Sequence, residues 1–204
     1  MPELPDLTVY LESLDARIAN RRLLRIRLLN PFLLRTAVPP IAAAEGKKVL
    51  GVGRVGKRIA IALEGELFLV LHLMIAGRLR WDGKPPKRIT LALFEFESGT
   101  LAFTEAGSKR RASLHVVQGR DALRAMDAGG VEILDCDLEK FSAVLLSENH
   151  TLKRALTDPR LFAGIGNADF PVAPSQEELA ALHRRTGLSR YQPIAFGSHS
   201  AICG

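Results

Sequence analysis

Short apolar runs separated by turn residues fill the chain from Leu23 to about Val117, and this pattern limits the folds open to it. Residues 24–28 alternate leucine or isoleucine with arginine, which is typical of a half-buried strand. Turn residues at 64–66 and 98–99 separate later runs and predict hairpins. Several short strands joined by tight turns predict an antiparallel sandwich or barrel. The expected strands are residues 24–28, 48–55, 58–63, 67–73, 89–97, 100–105 and 112–118.

Helical patterns flank this β-rich region. Apolar residues recur at helical spacing from Leu7 to Ile18, so residues 5–19 are expected to form an amphipathic helix with Pro5 in its first turn. A helical face begins again at residue 138, with Asp137 as a plausible N-cap. Three shorter helices are expected at residues 121–126, 151–157 and, behind the capping-box residues 175–178, up to about residue 185.

These patterns predict an α+β fold, in which an N-terminal antiparallel β-sandwich with a leading helix is followed by a helical domain. We expect the sandwich to span residues 1–118 and a linker to span residues 119–130, where glycines at 129 and 130 end the short helix. The helical domain is expected at residues 131–190. Residues 191–204 show neither period and are predicted to be a disordered tail.

Composition excludes several classes of protein and selects none. The chain has 204 residues, 47% of them hydrophobic, and a net charge of +6. A basic chain is compatible with nucleic acid, because neutralised phosphates supply most non-specific affinity, but many basic proteins bind none. The two cysteines suggest no disulfide framework, and no apolar run is long enough to span a membrane. We therefore expect a cytoplasmic protein without membrane association, and a monomer.

The first five residues, Met1-Pro2-Glu3-Leu4-Pro5, carry a possible nucleophile. Removal of Met1 would expose the secondary amine of Pro2, and an α-amino group titrates near pH ~8, so part of it is unprotonated at neutral pH. A secondary amine that attacks a sugar aldehyde carbon gives a cationic iminium, the electron sink that covalent amine catalysis requires. The alternative interpretation is that Pro2 is an ordinary start residue and that Pro5 begins a helix.

This start and three later segments together resemble the formamidopyrimidine-DNA glycosylase and endonuclease VIII family of base-excision repair enzymes. The later segments are residues 55–58 (Val-Gly-Lys-Arg), 72–79 (His-Leu-Met-Ile-Ala-Gly-Arg-Leu) and 158–167 (Asp-Pro-Arg-Leu-Phe-Ala-Gly-Ile-Gly-Asn). The likeness covers residues 1–167. It implies two domains with damaged DNA in the cleft between them, either duplex or abasic and single-stranded. It implies a DNA glycosylase and abasic-site lyase that acts on oxidised bases and uses no cofactor.

The resemblance implies roles for three catalytic residues. Pro2 matches the proline that attacks C1′ of the damaged nucleotide and forms a Schiff base. Glu3 matches the family's acid/base residue, although a carboxylate at a helix start also interacts favourably with the helix dipole. Lys57 matches a lysine that contacts phosphate and helps proton transfer, although a lysine in a β-turn is usually a solvated charge. Arg58 should point to the opposite face of its strand, so one member of this pair should reach the cleft.

Further residues match the family's DNA contacts. Met74 matches an apolar residue that fills the space left by a flipped nucleotide, or else it is a core methionine. His72, two residues earlier on the same face, matches a position near the DNA backbone, or is a partly buried histidine. Asn167, after a glycine turn, matches an asparagine that contacts phosphates. Lys109, Arg110 and Arg111 fit the family's intercalation loop or a solvated basic turn.

The resemblance ends after Asn167. Pro171 discourages an immediate helix there, so the helix-two-turn-helix motif is expected to be incomplete. Cys203, His183 and His199 lack the paired spacing of a zinc finger, and we predict no zinc site. The abrupt loss of pattern suggests a truncated or frameshifted reading frame. The alternatives to an active enzyme are a weak or inactive DNA-binding remnant of the family and a poorly folding gene product.

Position 112 also departs from the family, because an alanine stands where the intercalation loop usually carries a phenylalanine. The arginine of that loop is retained as Arg110 or Arg111. An aromatic wedge is absent from the loop itself, which puts the reading of the opposite base and the preference for duplex DNA in doubt.

Overall fold

The computed structural model describes residues 4–83, 85–107, 109–133 and 136–166, which lie within one compact unit, Met1–Pro171. Its N-terminal part contains a helix and eight strands. They are α1 (Leu4–Ile18), β1 (Leu23–Leu28), β2 (Val49–Val55), β3 (Arg58–Leu63), β4 (Leu67–His72), β5 (Gly77–Trp81), β6 (Thr90–Phe96), β7 (Gly99–Glu105) and β8 (Ser113–Gln118). After them come α2 (Arg120–Arg124), β9 (Val131–Glu132), α3 (Leu138–Leu145), α4 (Leu152–Thr157) and β10 (Phe162–Ala163).

The leading helix is confirmed within one residue at each end. Leu7, Leu14 and Ile18 are at most 3% exposed, so the apolar stripe of α1 faces the core as its spacing predicts. The helix ends beside the start of β2, where the Asn20 N–H donates to the Val49 carbonyl at 3.0 Å. A helix that buries one stripe in this way becomes part of the sandwich core.

Two four-stranded antiparallel sheets form the predicted sandwich. Their strand orders are β1-β6-β7-β5 and β2-β3-β4-β8. Apolar side chains from the inner faces of both sheets and from α1 form one core, with Phe94 and Phe103 fully buried. Burying this apolar surface supplies most of the free energy that holds the sheets together. β5 is not among the predicted strands, although Arg78 and Arg80 alternate with Leu79 and Trp81 along it.

The predicted buried face of β1 is wrong. Regular alternation would place Leu24 and Ile26 on one face, yet Leu24 is 52% exposed while Ile26 is 8% exposed. The pairing with β6 shifts register between Leu23 and Arg25, which inserts an extra residue. Leu23 is fully buried as a result, and it replaces Leu24 in the core.

Beyond the sandwich the chain folds as short elements. Leu123 and Met126, in and just after α2, pack against Phe68 and Val70 on the outer face of the second sheet. Asp137 caps α3 as predicted, since its side chain accepts the Lys140 N–H. Thr151 caps α4 in the same way, and the parallel pairing of β10 with β9 is not foreseen by the sequence. The proposed helix at 175–185 lies outside the described residues, and the domain boundaries remain a prediction.

Candidate nucleic-acid interface

Three connections meet at one end of the sandwich. They are the turn at 56–57 between β2 and β3, the turn at 73–76 between β4 and β5, and the loop at 106–112 between β7 and β8. His72 pairs with Ser113, and Gly77 pairs with Glu105, so the second and third connections are adjacent. The pair Ile59–Leu71 brings the start of β3 beside them. We call these three connections the turn end.

The turn end gathers the predicted cationic residues of the sandwich. Lys57 lies in the tight turn that follows β2, where Gly56 has φ +55°. A glycine takes this left-handed conformation without strain, which lets β2 turn directly into β3. The neighbouring Arg58 donates from Nη1 to the Met126 carbonyl at 2.6 Å. Arg58 therefore contacts the linker, while Lys57 occupies the turn itself.

His72 is half-buried and its pKa is lowered to about 4. Burial is the main cause, and the positive charges of Arg58, His115 and Lys57 lower the pKa further. Burial and nearby arginines also lower the pKa of His115. The imidazole of His72 is therefore neutral at pH 7 and supplies no positive charge.

The turn at 73–76 exposes Ile75 more than Met74. Met74 is half-buried and has φ +54°, whereas Ile75 is 64% exposed. The turn is tight, since a Cβ on Gly77 would lie 2.1 Å from the Leu73 carbonyl oxygen. Arg78 holds it further by donating from Nη1 to the carbonyls of Ile75 and Gly77, at 3.1 and 2.7 Å. The sequence alone does not show which of two adjacent apolar residues is exposed. The sequence pattern therefore did not single out Ile75 as a candidate site residue.

The basic loop, residues 109–111, is exposed and is held from below by a buried carboxylate. Glu105 is 2% exposed, and its carboxylate accepts the backbone N–H of Arg111 at 2.9 and 3.1 Å and that of Ala112 at 3.2 Å. Arg110 donates from Nη2 to the Arg88 carbonyl. Glu105 was not singled out from the sequence, although an acidic residue at a strand end next to a basic loop is a signal that could have found it.

The segment that precedes the predicted asparagine is a rigid turn. The Asp158 carboxylate binds Arg160 through its Nη2 at 2.7 Å and its backbone N–H at 2.9 Å, and this hydrogen bonding lowers the pKa of Asp158 to about 2. The Asp158 carbonyl accepts the N–H groups of Leu161 and Phe162, both at 3.0 Å. The chain then passes through β10 to Gly164, which has φ +90°.

Three predicted site residues, Pro2, Glu3 and Asn167, lie outside the described residues, as do Cys203 and the two C-terminal histidines. The structure brings together Lys57, His72, Met74 and the basic loop at the turn end. Within the described ranges, no three histidine, cysteine, aspartate or glutamate side chains are grouped so that they could hold a metal ion. No described helix has the length and apolar character needed to cross a membrane.

Comparisons with known proteins place this sandwich in a family. The model of the formamidopyrimidine-DNA glycosylase N-terminal domain matches residues 1–112. The chain is 33% identical to a formamidopyrimidine-DNA glycosylase of Roseiflexus sp. (strain RS-1), over 90% of this chain and 74% of the relative. A second relative, from Solibacter usitatus, is 30% identical over 82% of this chain and 62% of its own length.

Solved structures agree on the fold. The formamidopyrimidine-DNA glycosylase of Lactococcus lactis, bound non-covalently to DNA that contains an abasic site, superposes with a TM-score of 0.71 at 22% identity, over 81% of this chain and 65% of that one. A MutM complex with DNA containing carbocyclic 8-oxo-G gives 0.72 at 22% identity, over 81% of this chain and 64% of that one. The helix-led β-sandwich of this chain is thus the fold of a formamidopyrimidine-DNA glycosylase N-terminal domain. The chain belongs to the formamidopyrimidine-DNA glycosylase family.

Proposed function

We propose that this chain is a base-excision repair DNA glycosylase with abasic-site lyase activity on oxidised bases. Its partner is damaged DNA, either duplex or abasic and single-stranded. The family match over residues 1–112 carries the proposal, because it includes the N-terminal proline and the lysine turn. The chain spans 62% of the Solibacter relative and 65% of the Lactococcus structure, so the activity of the full-length relatives is proposed for this chain and not taken over from them.

In this mechanism, the amine of Pro2 attacks C1′ of the damaged nucleotide and forms a C–N bond. The glycosidic bond breaks, and the base leaves with a proton supplied by an acid. The nitrogen then loses its proton, and the C1′–O4′ bond breaks as O4′ accepts a proton, which leaves a ring-opened iminium. The iminium withdraws electrons from C2′, so a C2′ proton is lost to a base and the C3′–O bond breaks by elimination, with the 3′-phosphate as the leaving group. Glu3 is the proposed acid/base group for these transfers. Lys57 is proposed to hold the phosphate near the reacting sugar and to assist proton transfer.

The direction of α1 supports this assignment. The helix ends beside Val49, at the start of β2, and contacts that strand. A helix of 15 residues is about 22 Å long, and a strand of seven residues is about 23 Å long. A helix that runs back along β2 therefore brings its first turn close to the turn end, where Lys57 lies.

Basic side chains supply the electrostatic attraction for DNA in this proposal. Lys57 and the exposed residues 109–111 lie at the turn end, and the described acidic residue there, Glu105, is buried and bonded to backbone amides. A surface of this charge attracts phosphates, with an affinity that falls as salt rises. His72 and Met74 are proposed to lie along the DNA, and Asn167 to contact phosphates on the helical side.

Trapping with sodium borohydride tests the proposal, because the reagent reduces an iminium to a stable amine bond. The protein with Met1 removed, as verified by intact mass, should form a covalent adduct with abasic DNA. The adduct should disappear when Met1 is retained and should fall sharply in Pro2→Gly. Pro5→Ala is a matched control, since Pro5 is an exposed proline in the first turn of α1 and should leave trapping unchanged.

Absence of an adduct from folded, processed protein would refute the enzymatic proposal. Salt-sensitive DNA binding without an adduct would instead support the alternative function, a weak or inactive DNA-binding member of the family. The observation behind this alternative is that the chain spans 62% of the Solibacter relative's length. Both measurements use the same abasic oligonucleotide, so they separate binding from chemistry.

A further inference from the structure

Phe32 is an exposed aromatic residue held in a defined position. It is 78% exposed and lies in the 3-10 turn Pro31–Leu33 between β1 and β2. The Asn30 side chain caps this turn by accepting the Phe32 N–H at 3.0 Å, and the next residue, Leu33, is 2% exposed. A buried neighbour and a side-chain cap fix the backbone on both sides of the ring, so the ring is presented to solvent from a braced turn.

The turn that carries Phe32 runs alongside the start of β8. Leu34 forms a parallel bridge with Leu114, and the Arg35 N–H donates to the Leu114 carbonyl at 2.9 Å. Because the bridge is parallel, the residues that precede Leu34 and those that precede Leu114 extend from it in the same direction. Ala112 directly follows the basic loop at 109–111. The exposed ring therefore lies on the same side of this bridge as the exposed arginines, although the two segments are far apart in sequence.

We propose that Phe32 stacks on an unpaired nucleobase of DNA that the basic loop holds by its phosphates. This inference rests on the proposed function. Aromatic side chains beside cationic groups bind unpaired bases in this way, since every base offers a π-face and the cations neutralise the backbone. Ala112 is 4% exposed and has no ring, so it cannot do so itself. Phe32 supplies an aromatic surface to the basic loop from a separate segment.

The experiment measures binding of the whole, processed chain to two probes that carry 2-aminopurine. In one probe the fluorescent base lies opposite an abasic site and is unpaired, and in the other it lies in a fully paired duplex. Phe32→Ala should weaken binding to the first probe by about 5- to 150-fold and abolish the quenching of 2-aminopurine that stacking causes. Phe32→Trp should retain both affinity and quenching. The slope of affinity against salt should stay the same in all variants, because no phosphate contact is removed.

Val38→Ala is the matched control, since Val38 is 85% exposed in the same connection and has no ring. It should bind like the wild type, and all variants should unfold cooperatively at the same temperature. Wild-type affinity and quenching in Phe32→Ala would overturn the inference, as would equal losses for both probes. If the wild type traps abasic DNA while Phe32→Ala changes nothing, only the stacking role fails. If the wild type neither binds nor traps DNA, the proposed function fails and takes this inference with it.

Discussion

Replacing Glu105 with alanine should both destabilise the sandwich and release the basic loop. The carboxylate accepts two backbone N–H groups, those of Arg111 and Ala112, at distances between 2.9 and 3.2 Å. Hydrogen bonds to a charged group contribute about 1.5–3 kcal/mol each. Removing a buried charge recovers part of its desolvation cost, so the full sum is not expected.

The two amides respond differently to this substitution. Arg111 is exposed, and its N–H can bind water when the carboxylate is gone. Ala112 is 4% exposed, so its N–H is left buried and unsatisfied at a cost of about 1–3 kcal/mol. With the cavity that the side chain leaves, we expect Glu105→Ala to lower the free energy of unfolding by about 2–4 kcal/mol. Glu105→Gln keeps an accepting oxygen and should cost about 1–2 kcal/mol.

Thermal and urea unfolding measure the effect, which corresponds to a fall in Tm of about 5–15 °C for Glu105→Ala. Glu95→Ala is the control, because Glu95 lies in a 3.8 Å ion pair with Arg27 in which both side chains are at least one third exposed. Such pairs contribute at most about 1 kcal/mol. DNA affinity should fall in Glu105→Ala and not in Glu95→Ala. Equal stability of the two alanine variants would refute the argument that the buried carboxylate holds the loop.

Two further predictions concern the turn end. His72 has a pKa of about 4 when folded and an ordinary value of 6.5, so the unfolded state binds its proton first. The free energy of unfolding should therefore fall as the pH drops from 6.5 to 4, and it should fall less in His72→Gln. Urea unfolding at a series of pH values measures this difference. Parallel plots of unfolding free energy against pH for the two proteins would contradict the prediction. Gly77→Ala should lower stability by about 3 kcal/mol, because its Cβ would lie 2.1 Å from the Leu73 carbonyl oxygen. Gly83→Ala is the control, because the nearest atom to its added Cβ would be 3.7 Å away, and it should change the free energy of unfolding by less than about 0.5 kcal/mol. A similar loss of stability in the two variants would refute the clash at Gly77.

The elements that the sequence predicts well are those with a local cause. The helical spacing of Leu7, Leu14 and Ile18 predicts α1, and alternation with a tight glycine turn predicts β3 with its observed ends. Asp137 predicts the start of α3, since a cap needs only the three residues that follow it. In each case the interaction that fixes the element lies within a few residues of it.

The features that the sequence does not predict depend on distant partners. The bulge in β1 is set by its pairing with β6, about seventy residues later, which is why Leu24 was placed on the wrong face. Glu105 and the basic loop show no periodic pattern at all. Phe32 lies on the side of the basic loop only because a connection after β1 runs along β8 through the Leu34–Leu114 bridge. Motif resemblance selects Lys57, His72 and Met74 as site residues, and all three lie at the turn end, yet the resemblance does not show that Ile75 is more exposed than Met74.

The packing of α2 on the sandwich has a consequence for how the chain can be divided. Leu123 and Met126 cover Phe68 and Val70, and Arg58 donates to the Met126 carbonyl. A fragment that ends at Gln118 would lack Leu123 and Met126, and the apolar side chains of Phe68 and Val70 would be left uncovered on the outer face of the sheet. The stretch after β8 therefore covers part of the sandwich as well as leading to the elements that follow it, and a fragment that keeps this face covered has to extend beyond Met126.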